Sequence, residues 1–222
     1  MKGILITFEG PEGGGKSLQI QKLGEYLKNK GFKVLTLREP GQTKIGEQIR
    51  EILLNPKNKK MTPRAETLLF EASRAQLVEE IIKPALAQGV IVLIDRFFDS
   101  TTAYQGYGRG LPLKEIQRLN VFATGGLRPD LTILLDVEIE EGLKRREKSG
   151  KKDRIDIESL KFHQKVREGY LEMARENPHR WRIVDASRSP EEVFEEIKKI
   201  VKREIDKMSH VGKNVKAWEL KI

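Results

Sequence analysis

The sequence predicts an α/β fold built on a parallel β-sheet, and three observations carry that prediction. Short strand-like runs at residues 4–8, 34–37, 90–94, 131–135 and 181–184 are separated by longer segments of helical period, the pattern of successive βαβ units. The third run, Gly89-Val90-Ile91-Val92-Leu93-Ile94, is continuously apolar, as a central strand covered on both faces must be. A glycine-rich loop follows the first run directly, and sheets of this kind bind ligands at the carboxyl ends of their strands.

The first run, Ile4-Leu5-Ile6-Thr7-Phe8, reads as a buried strand. It leads into Gly10-Pro11-Glu12-Gly13-Gly14-Gly15-Lys16-Ser17, a match to G-x-x-x-x-G-K-[ST]. Four glycines in these eight residues let successive backbone N–H groups turn toward one anion. The helix expected to start near Lys16 points its positive dipole end at the same place. In this motif Lys16 reaches the β- and γ-phosphates and the Ser17 hydroxyl ligates Mg²⁺. A glycine-rich turn can match by chance. Here strand, loop, Lys-Ser and an amphipathic helix with Leu18, Ile20, Leu23, Tyr26 and Leu27 follow in order, so we read a nucleotide site.

After the second run, two helical stretches, 45–54 and 64–86, are separated by a polar cluster between Lys57 and Pro63. The third run ends in Asp95-Arg96, followed by Phe97-Phe98-Asp99-Ser100-Thr101-Thr102-Ala103-Tyr104-Gln105-Gly106 and then Arg109-Gly110. A carboxylate closing a strand beside the phosphate loop can hold Mg²⁺ directly or through water, and the adjacent guanidinium can bridge two phosphate groups. An Asp-Arg pair can equally be a plain salt bridge; its position after a buried strand favours the first reading. A charge run fills residues 144–154, and such a run is usually a solvated face. From about His210 the sequence lacks a clear period, which reads as a loosely attached tail or a partner-contacting segment. No internal repeat or linker interrupts the chain, so we expect one domain over residues 1–205 and a C-terminal tail over 206–222.

Composition narrows the partners. With 42 Lys+Arg against 33 Asp+Glu, the net charge of +9 suits anionic ligands, nucleotides and nucleic acid alike. The 222-residue chain has no cysteine, which excludes disulfides and thiolate metal sites. The first apolar stretch is too short for a signal peptide and no run approaches 18 apolar residues, so a soluble, cytoplasmic protein is expected. No separate nucleic-acid module is visible, and neither DNA nor membrane is an expected partner.

Four segments together, the Gly10–Ser17 loop, Arg38-Glu39-Pro40-Gly41, Phe70-Glu71-Ala72-Ser73-Arg74 and residues 95–106, resemble the thymidylate kinase family across residues 3 to about 200. The likeness is to the bacterial type, with basic residues in the lid. It implies a P-loop, nucleoside-monophosphate-kinase-like fold: a five-stranded parallel sheet flanked by helices, with a short lid over about 142–156. The implied reaction is transfer of the γ-phosphoryl of Mg-ATP to dTMP, giving dTDP, within dTTP biosynthesis. The implied assembly is a homodimer. Leu77, Val78, Ile81 and Ile82 could serve a core or such an interface equally.

The resemblance also implies roles. Phe70 and Arg74, four apart on one helix face, would stack on thymine and hydrogen-bond its carbonyl edge. Tyr104 would crowd the 2′ carbon, and Gln105 would read the pyrimidine. Ser100, Thr101, Glu39 and Pro40 would line the same dTMP pocket. Arg50 and Arg96 would clamp the monophosphate from opposite sides. Asp95 would share the metal with Ser17. Glu12 would turn away from the phosphate-binding amides toward the acceptor, because a carboxylate pointing inward would repel phosphate. In the lid, Gly142-Leu143-Lys144-Arg145 and Asp153-Arg154-Ile155-Asp156 match the bacterial pattern, whereas its arginine-rich middle is replaced by Arg146, Glu147, Lys148 and Ser149. Arg146 and Arg154 are then the candidate lid cations, one for the transferring phosphoryl group and one for anchoring ATP. Gly13 replaces a basic loop residue of some members, and Gln42 stands where glycine is usual. Ala186-Ser187-Arg188 corresponds to the adenine loop. Another P-loop kinase, acting on a deoxynucleoside or on UMP or CMP, remains the nearest alternative. A nucleotide-dependent DNA-binding switch is the alternative from another class.

Overall fold

The computed structural model describes residues 3–148, 150 and 153–219, with side chains through residue 207. Strands β1 (Ile4–Glu9), β2 (Val34–Arg38), β3 (Ile91–Asp95), β4 (Leu131–Asp136) and β5 (Trp181–Asp185) form one parallel sheet in the order β2-β3-β1-β4-β5. Each lies within one residue of the run that announces it. Register pairs Ile6 of β1 with Leu93 on one side and Leu131 on the other. The continuous apolar run is β3, held between β2 and β1 and buried from Ile91 to Ile94.

Helices cover both faces because β1 alternates its apolar side chains. Ile4, Ile6 and Phe8 pack on one side with Ile20, Leu23 and Leu27 of α1 (Lys16–Asn29) and with Val193, Ile197, Val201 and Ile205 of α9 (Pro190–Glu219). On the other side Leu5, Val92 and Ile94 pack against Leu77, Val78 and Ile82. Burying such side chains contributes roughly 1.5–3 kcal/mol each. The residues left open between core and interface therefore divide simply: Leu77, Val78 and Ile82 are fully buried core, and Ile81 packs against them.

Between the second and third strands come α2 (Lys44–Leu54) and α3 (Pro63–Leu77), started by Thr43 and Thr62, whose hydroxyls accept from Gly46 and Ala65 N–H. The stretch expected as one helix to residue 86 widens into a π turn at Val78–Ile82 before α4 (Lys83–Ala87). Pro84 explains the change, since it has no N–H for the Glu80 carbonyl and its ring would strike that carbonyl in a straight α-helix. After β3 come the short α5 (Phe98–Thr101), a second π segment, Thr102–Gly108, and α6 (Leu113–Thr124). Helix α7 (Ile139–Lys148) follows β4, and α8 (Leu160–Glu176) packs Phe162, Val166, Tyr170 and Met173 against Leu134 and Trp181.

Past residue 205 the backbone continues in α9 to Glu219, so the segment expected as a tail is helical over that range. Among the described residues no helix is long and apolar enough to cross a membrane.

Candidate active site

The carboxyl ends of β1, β2 and β3 open into one cleft of about 400 Å³. Its lining includes Glu12, Gly13, Gly15, Lys16, Ser17, Glu39, Pro40, Arg50, Phe70, Arg74, Asp95, Arg96, Ser100, Thr101, Tyr104, Gln105 and Arg146. Distant parts of the sequence expected to share a site do meet. Gly10, Pro11 and Gly14 are buried loop residues that do not line the cleft, and Arg154 does not line it either.

The phosphate loop is tight. Lys16 Nζ donates to the Gly10 and Pro11 carbonyls at 3.1 and 2.7 Å, and burial lowers its pKa to about 8. Gly13 has φ 71, and a Cβ there would stand 2.0 Å from the Gly142 carbonyl oxygen; one on Gly142 would stand 2.3 Å from the Glu12 carbonyl oxygen. Loop and α7 thus touch backbone to backbone. That contact leaves no room for a side chain, basic or otherwise, at position 13.

At the end of β3, Ser17 Oγ donates to Asp95 Oδ2 at 2.6 Å. A hydroxyl and a carboxylate side by side form an all-oxygen set that fits Mg²⁺. Among the described residues no cluster of three or more His, Cys, Asp or Glu could enclose a metal alone. An ion here would complete its shell with phosphate oxygens and water.

Arg96 is the pivot of the cleft. Its backbone has φ 68, a left-handed conformation that costs a non-glycine residue roughly 1–2 kcal/mol. Two bonds hold the bend: Arg96 N–H to the Phe8 carbonyl at 2.9 Å and Phe97 N–H to Glu9 Oε1 at 2.7 Å. The guanidinium thereby swings over the loop, where it donates to Glu12 Oε1 at 2.7 Å and to the Gly10 carbonyl at 3.2 Å. It also donates to Ser100 Oγ and Tyr170 Oη at 3.2 and 3.1 Å and lies 4.9 Å from the Tyr104 ring centroid. Glu12 accepts from the Tyr104 hydroxyl at 2.8 Å as well. Burial pushes the Glu12 carboxyl up, but Arg96 and Lys16 outweigh it and hold the pKa at about 2.

Glu9 is a residue that sequence reasoning missed. It ends β1, fully buried, and accepts from Phe97 N–H, Ser100 Oγ and Tyr170 Oη at 2.7, 2.6 and 3.0 Å. Burial and the neighbouring Asp99 raise its pKa to about 7. The only sequence signal was a carboxylate directly between an apolar strand and a glycine loop. Arg38, at the end of β2, and Asp153 also line the cleft without having been singled out.

Phe70, Arg74, Thr101, Tyr104 and Gln105 form the rest of the cleft wall. Phe70 and Arg74 share one face of α3, and Tyr104 and Gln105 are turned inward by the π segment, a geometry often found at functional sites. Arg74 is almost wholly buried, and its five N–H groups are already engaged. Nε and Nη2 meet Glu39 Oε2 at 2.8 and 2.6 Å, Nη1 meets Glu71 and Thr101 at 2.5 and 2.9 Å, and Nη2 also meets the Phe97 carbonyl at 3.2 Å. A base carbonyl would have to share one of these hydrogens, which qualifies the selectivity expected of Arg74. Arg50 donates to the Pro40 carbonyl at 2.8 Å from the cleft wall.

The lid arginines separate. Arg146 lines the cleft, with Nε held at 3.0 Å by both oxygens of Asp156. Arg154, expected as a lid cation, is instead 5% exposed and turned into the protein. Its Nε donates to the Leu53 carbonyl at 2.9 Å, and its guanidinium pairs with the buried Glu66 at 2.5 Å. An ionised carboxylate 88 positions upstream outcompetes water for it, a contact that local spacing cannot reveal. Arg145 also lines the cleft and reaches the Ala186 and Ser187 carbonyls at 2.8 and 3.4 Å. Ser149, Lys151 and Lys152, part of the expected lid, lie outside the described residues.

A glycine-rich phosphate loop, a strand-end acid beside its serine and an arginine-lined cleft on a five-stranded parallel sheet point to a P-loop kinase. Comparison with known proteins narrows the class. A family model described as Thymidylate kinase matches residues 8–197. The chain is 54% identical over 197 residues to a thymidylate kinase of Geotalea daltonii, covering 86% of this chain and 92% of that protein. It is 46% identical over 209 residues to one of Bacillus pumilus, covering 93% and 99%. The crystal structure of a thymidylate kinase from Ehrlichia chaffeensis superposes with a TM-score of 0.74 at 34% identity, covering 90% of this chain and 99% of that one. The chain belongs to the thymidylate kinase family.

Proposed function

We propose that the protein transfers the γ-phosphoryl group of Mg-ATP to dTMP, giving dTDP and ADP as a step toward dTTP, in the cytoplasm and without a nucleic-acid or membrane partner. The observation that carries this reading is the cleft itself. The phosphate loop, the Ser17–Asp95 pair and the Phe70–Gln105 pocket line one cleft, and Arg96 joins loop to pocket through Glu12 and Gly10 on one side and Ser100 and the Tyr104 ring on the other.

Phosphoryl transfer of this kind depends on alignment and charge neutralisation rather than on a strong nucleophile. The acceptor is an anionic phosphate oxygen. In this reading the loop amides and Lys16 hold the donor phosphates, and Arg50 and Arg96 hold the acceptor phosphate from two sides. Mg²⁺ held by Ser17 and Asp95 would neutralise charge between the β- and γ-phosphates. Glu12, kept ionised by Arg96 and Lys16, repels a misplaced phosphate and fixes the Arg96 fork. Phe70 supplies a stacking face, and Tyr104, 5% exposed, leaves little room beside the sugar. Arg146 is the lid cation of this account, and Arg154 takes no part in transfer. The basic lid over about 142–156 closes the site against water.

We further propose a homodimer, formed through the adjacent helices α2, α3 and α6, which expose Ile52, Leu68, Val121 and Phe122. The reaction is tested by ³¹P NMR of a mixture of protein, Mg-ATP and dTMP. Appearance of dTDP and ADP in equal amounts supports the reading, and ATP hydrolysis without dTDP contradicts it.

A further inference from the structure

Glu66, on the first turn of α3, is 1% exposed and does not line the cleft, yet it organises the side chain at the base end of it. Its Oε1 accepts from Gln105 Nε2 at 2.8 Å and from Arg109 Nε at 3.1 Å. Its Oε2 accepts from Arg109 Nη2 at 3.0 Å and pairs with Arg154 at 2.5 Å. Burial pushes this carboxyl up, but Arg109, Gln105 and Arg154 outweigh it and keep it below the usual carboxylate range. An ionised carboxylate only accepts hydrogen bonds, so the end of Gln105 that faces it has to be the NH₂.

The consequence falls on the other end of the amide. Gln105 lines the cleft, and among the described residues nothing donates to its Oε1. With Nε2 tied to Glu66, Oε1 is the end turned away from that carboxylate, and it is an acceptor only. Thymine and uracil carry an N–H at ring position 3, which Oε1 can accept. Cytosine carries a lone pair there, and two acceptors facing each other in a buried pocket leave both unsatisfied.

We propose that Glu66 is a positioning residue for base selectivity, fixing the Gln105 amide so that the pocket takes a pyrimidine with an N3–H and rejects cytosine. This rests on the reading of the cleft as a dTMP site. It also gives buried Arg154 a purpose other than phosphate binding, since Arg154 and Arg109 hold the Glu66 carboxylate in place and ionised. In Glu66→Gln the single carbonyl oxygen is drawn to the arginines, which leaves an NH₂ opposite Gln105. The Gln105 amide then turns over and offers its own NH₂ to the base.

The test is kcat/KM for dTMP and for dCMP, measured on the wild type, Glu66→Gln, Gln105→Leu and the double variant. The expected result is that the dTMP:dCMP ratio falls by about tenfold to a hundredfold in Glu66→Gln, the worth of one buried unsatisfied polar group. The ratio should fall in Gln105→Leu too, and Glu66→Gln should change it no further in that background. Parallel losses for both nucleotides at constant ratio would mean a purely structural Glu66 and overturn the proposal, as would an undiminished effect of Glu66→Gln on top of Gln105→Leu. If Glu66→Gln does not fold, Glu66→Asp keeps the charge against the arginines but withdraws it from Gln105; a reduced ratio supports the proposal and an unchanged one overturns it. A wild type that does not distinguish the two nucleotides overturns both the acceptor assignment and this inference. A wild-type preference that survives substitution at Glu66 overturns the inference alone.

Discussion

Arg96 and Glu12 form a 2.7 Å ion pair across the mouth of the phosphate loop, with their side chains 16% and 18% exposed. The pair joins the residue after β3 to the middle of the loop after β1. It holds the guanidinium over the loop, beside the Tyr104 ring. Arg96→Ala is expected to lower kcat by about 10²-fold or more, given the contribution of such arginines to charge neutralisation. Circular dichroism should show the fold retained, because Glu12 keeps the Tyr104 hydroxyl and Lys16 as partners. Near-normal turnover would contradict the role.

Stability should respond to pH through buried carboxyls. Glu9 and Glu39 have folded pKa values raised to about 7, both by burial, against about 4.5 when unfolded. Between pH 4.5 and 7 the folded state therefore binds more protons than the unfolded one, so these groups make stability fall as pH rises through that window. Glu12 acts oppositely and lower down: its pKa of about 2 gives stability that is present above pH 4.5 and is lost as pH falls toward 2. Urea midpoints from pH 4.5 to 8 should show a shallower decline in Glu9→Gln than in the wild type. Parallel curves would contradict the assignment to Glu9.

Gln42 adopts φ 73, the left-handed region in which a glycine is unstrained. Its N–H is nevertheless well used, donating to Glu47 Oε1 at 2.7 Å. Relief of roughly 1–2 kcal/mol of backbone strain, set against about 0.5–1 kcal/mol of added freedom in the unfolded chain, leaves Gln42→Gly a small net gain. A rise of a few degrees in Tm with unchanged kcat is expected. A fall in Tm would show that the glutamine side chain contributes something the backbone argument omits.

Phe122 is 87% exposed on α6, beside Val121 at 52%. Phe122→Asp should convert the proposed dimer to a monomer in light scattering at micromolar concentration, with the far-ultraviolet spectrum unchanged. A wild type already monomeric under those conditions would dispose of the dimer.

What could be read from the sequence was what local chemistry dictates. Strand positions follow from apolar runs such as 90–94, and the loop from its glycines. The cleft residues could be gathered because parallel strands deliver their carboxyl ends to one edge. The inward placement of Arg154 could not be read because its partners, Leu53 and Glu66, are remote in sequence and leave no trace in the charge run around it. Glu9 was passed over because a strand-end glutamate looks solvent-facing until Ser100 and Tyr170 are seen to close over it. The continuation of α9 to Glu219 was missed although Met208, Val211, Val215 and Trp218 recur at helical spacings of three and four.

The most direct measurement is a coupled assay of ADP release with Mg-ATP and, offered separately, dTMP, dUMP, UMP, CMP, dCMP and thymidine. The account predicts that dTMP has the highest kcat/KM and that thymidine, which lacks the phosphate held by Arg50 and Arg96, is not turned over. Preferred turnover of thymidine or of a cytosine nucleotide would leave the phosphate loop intact and contradict the acceptor assignment.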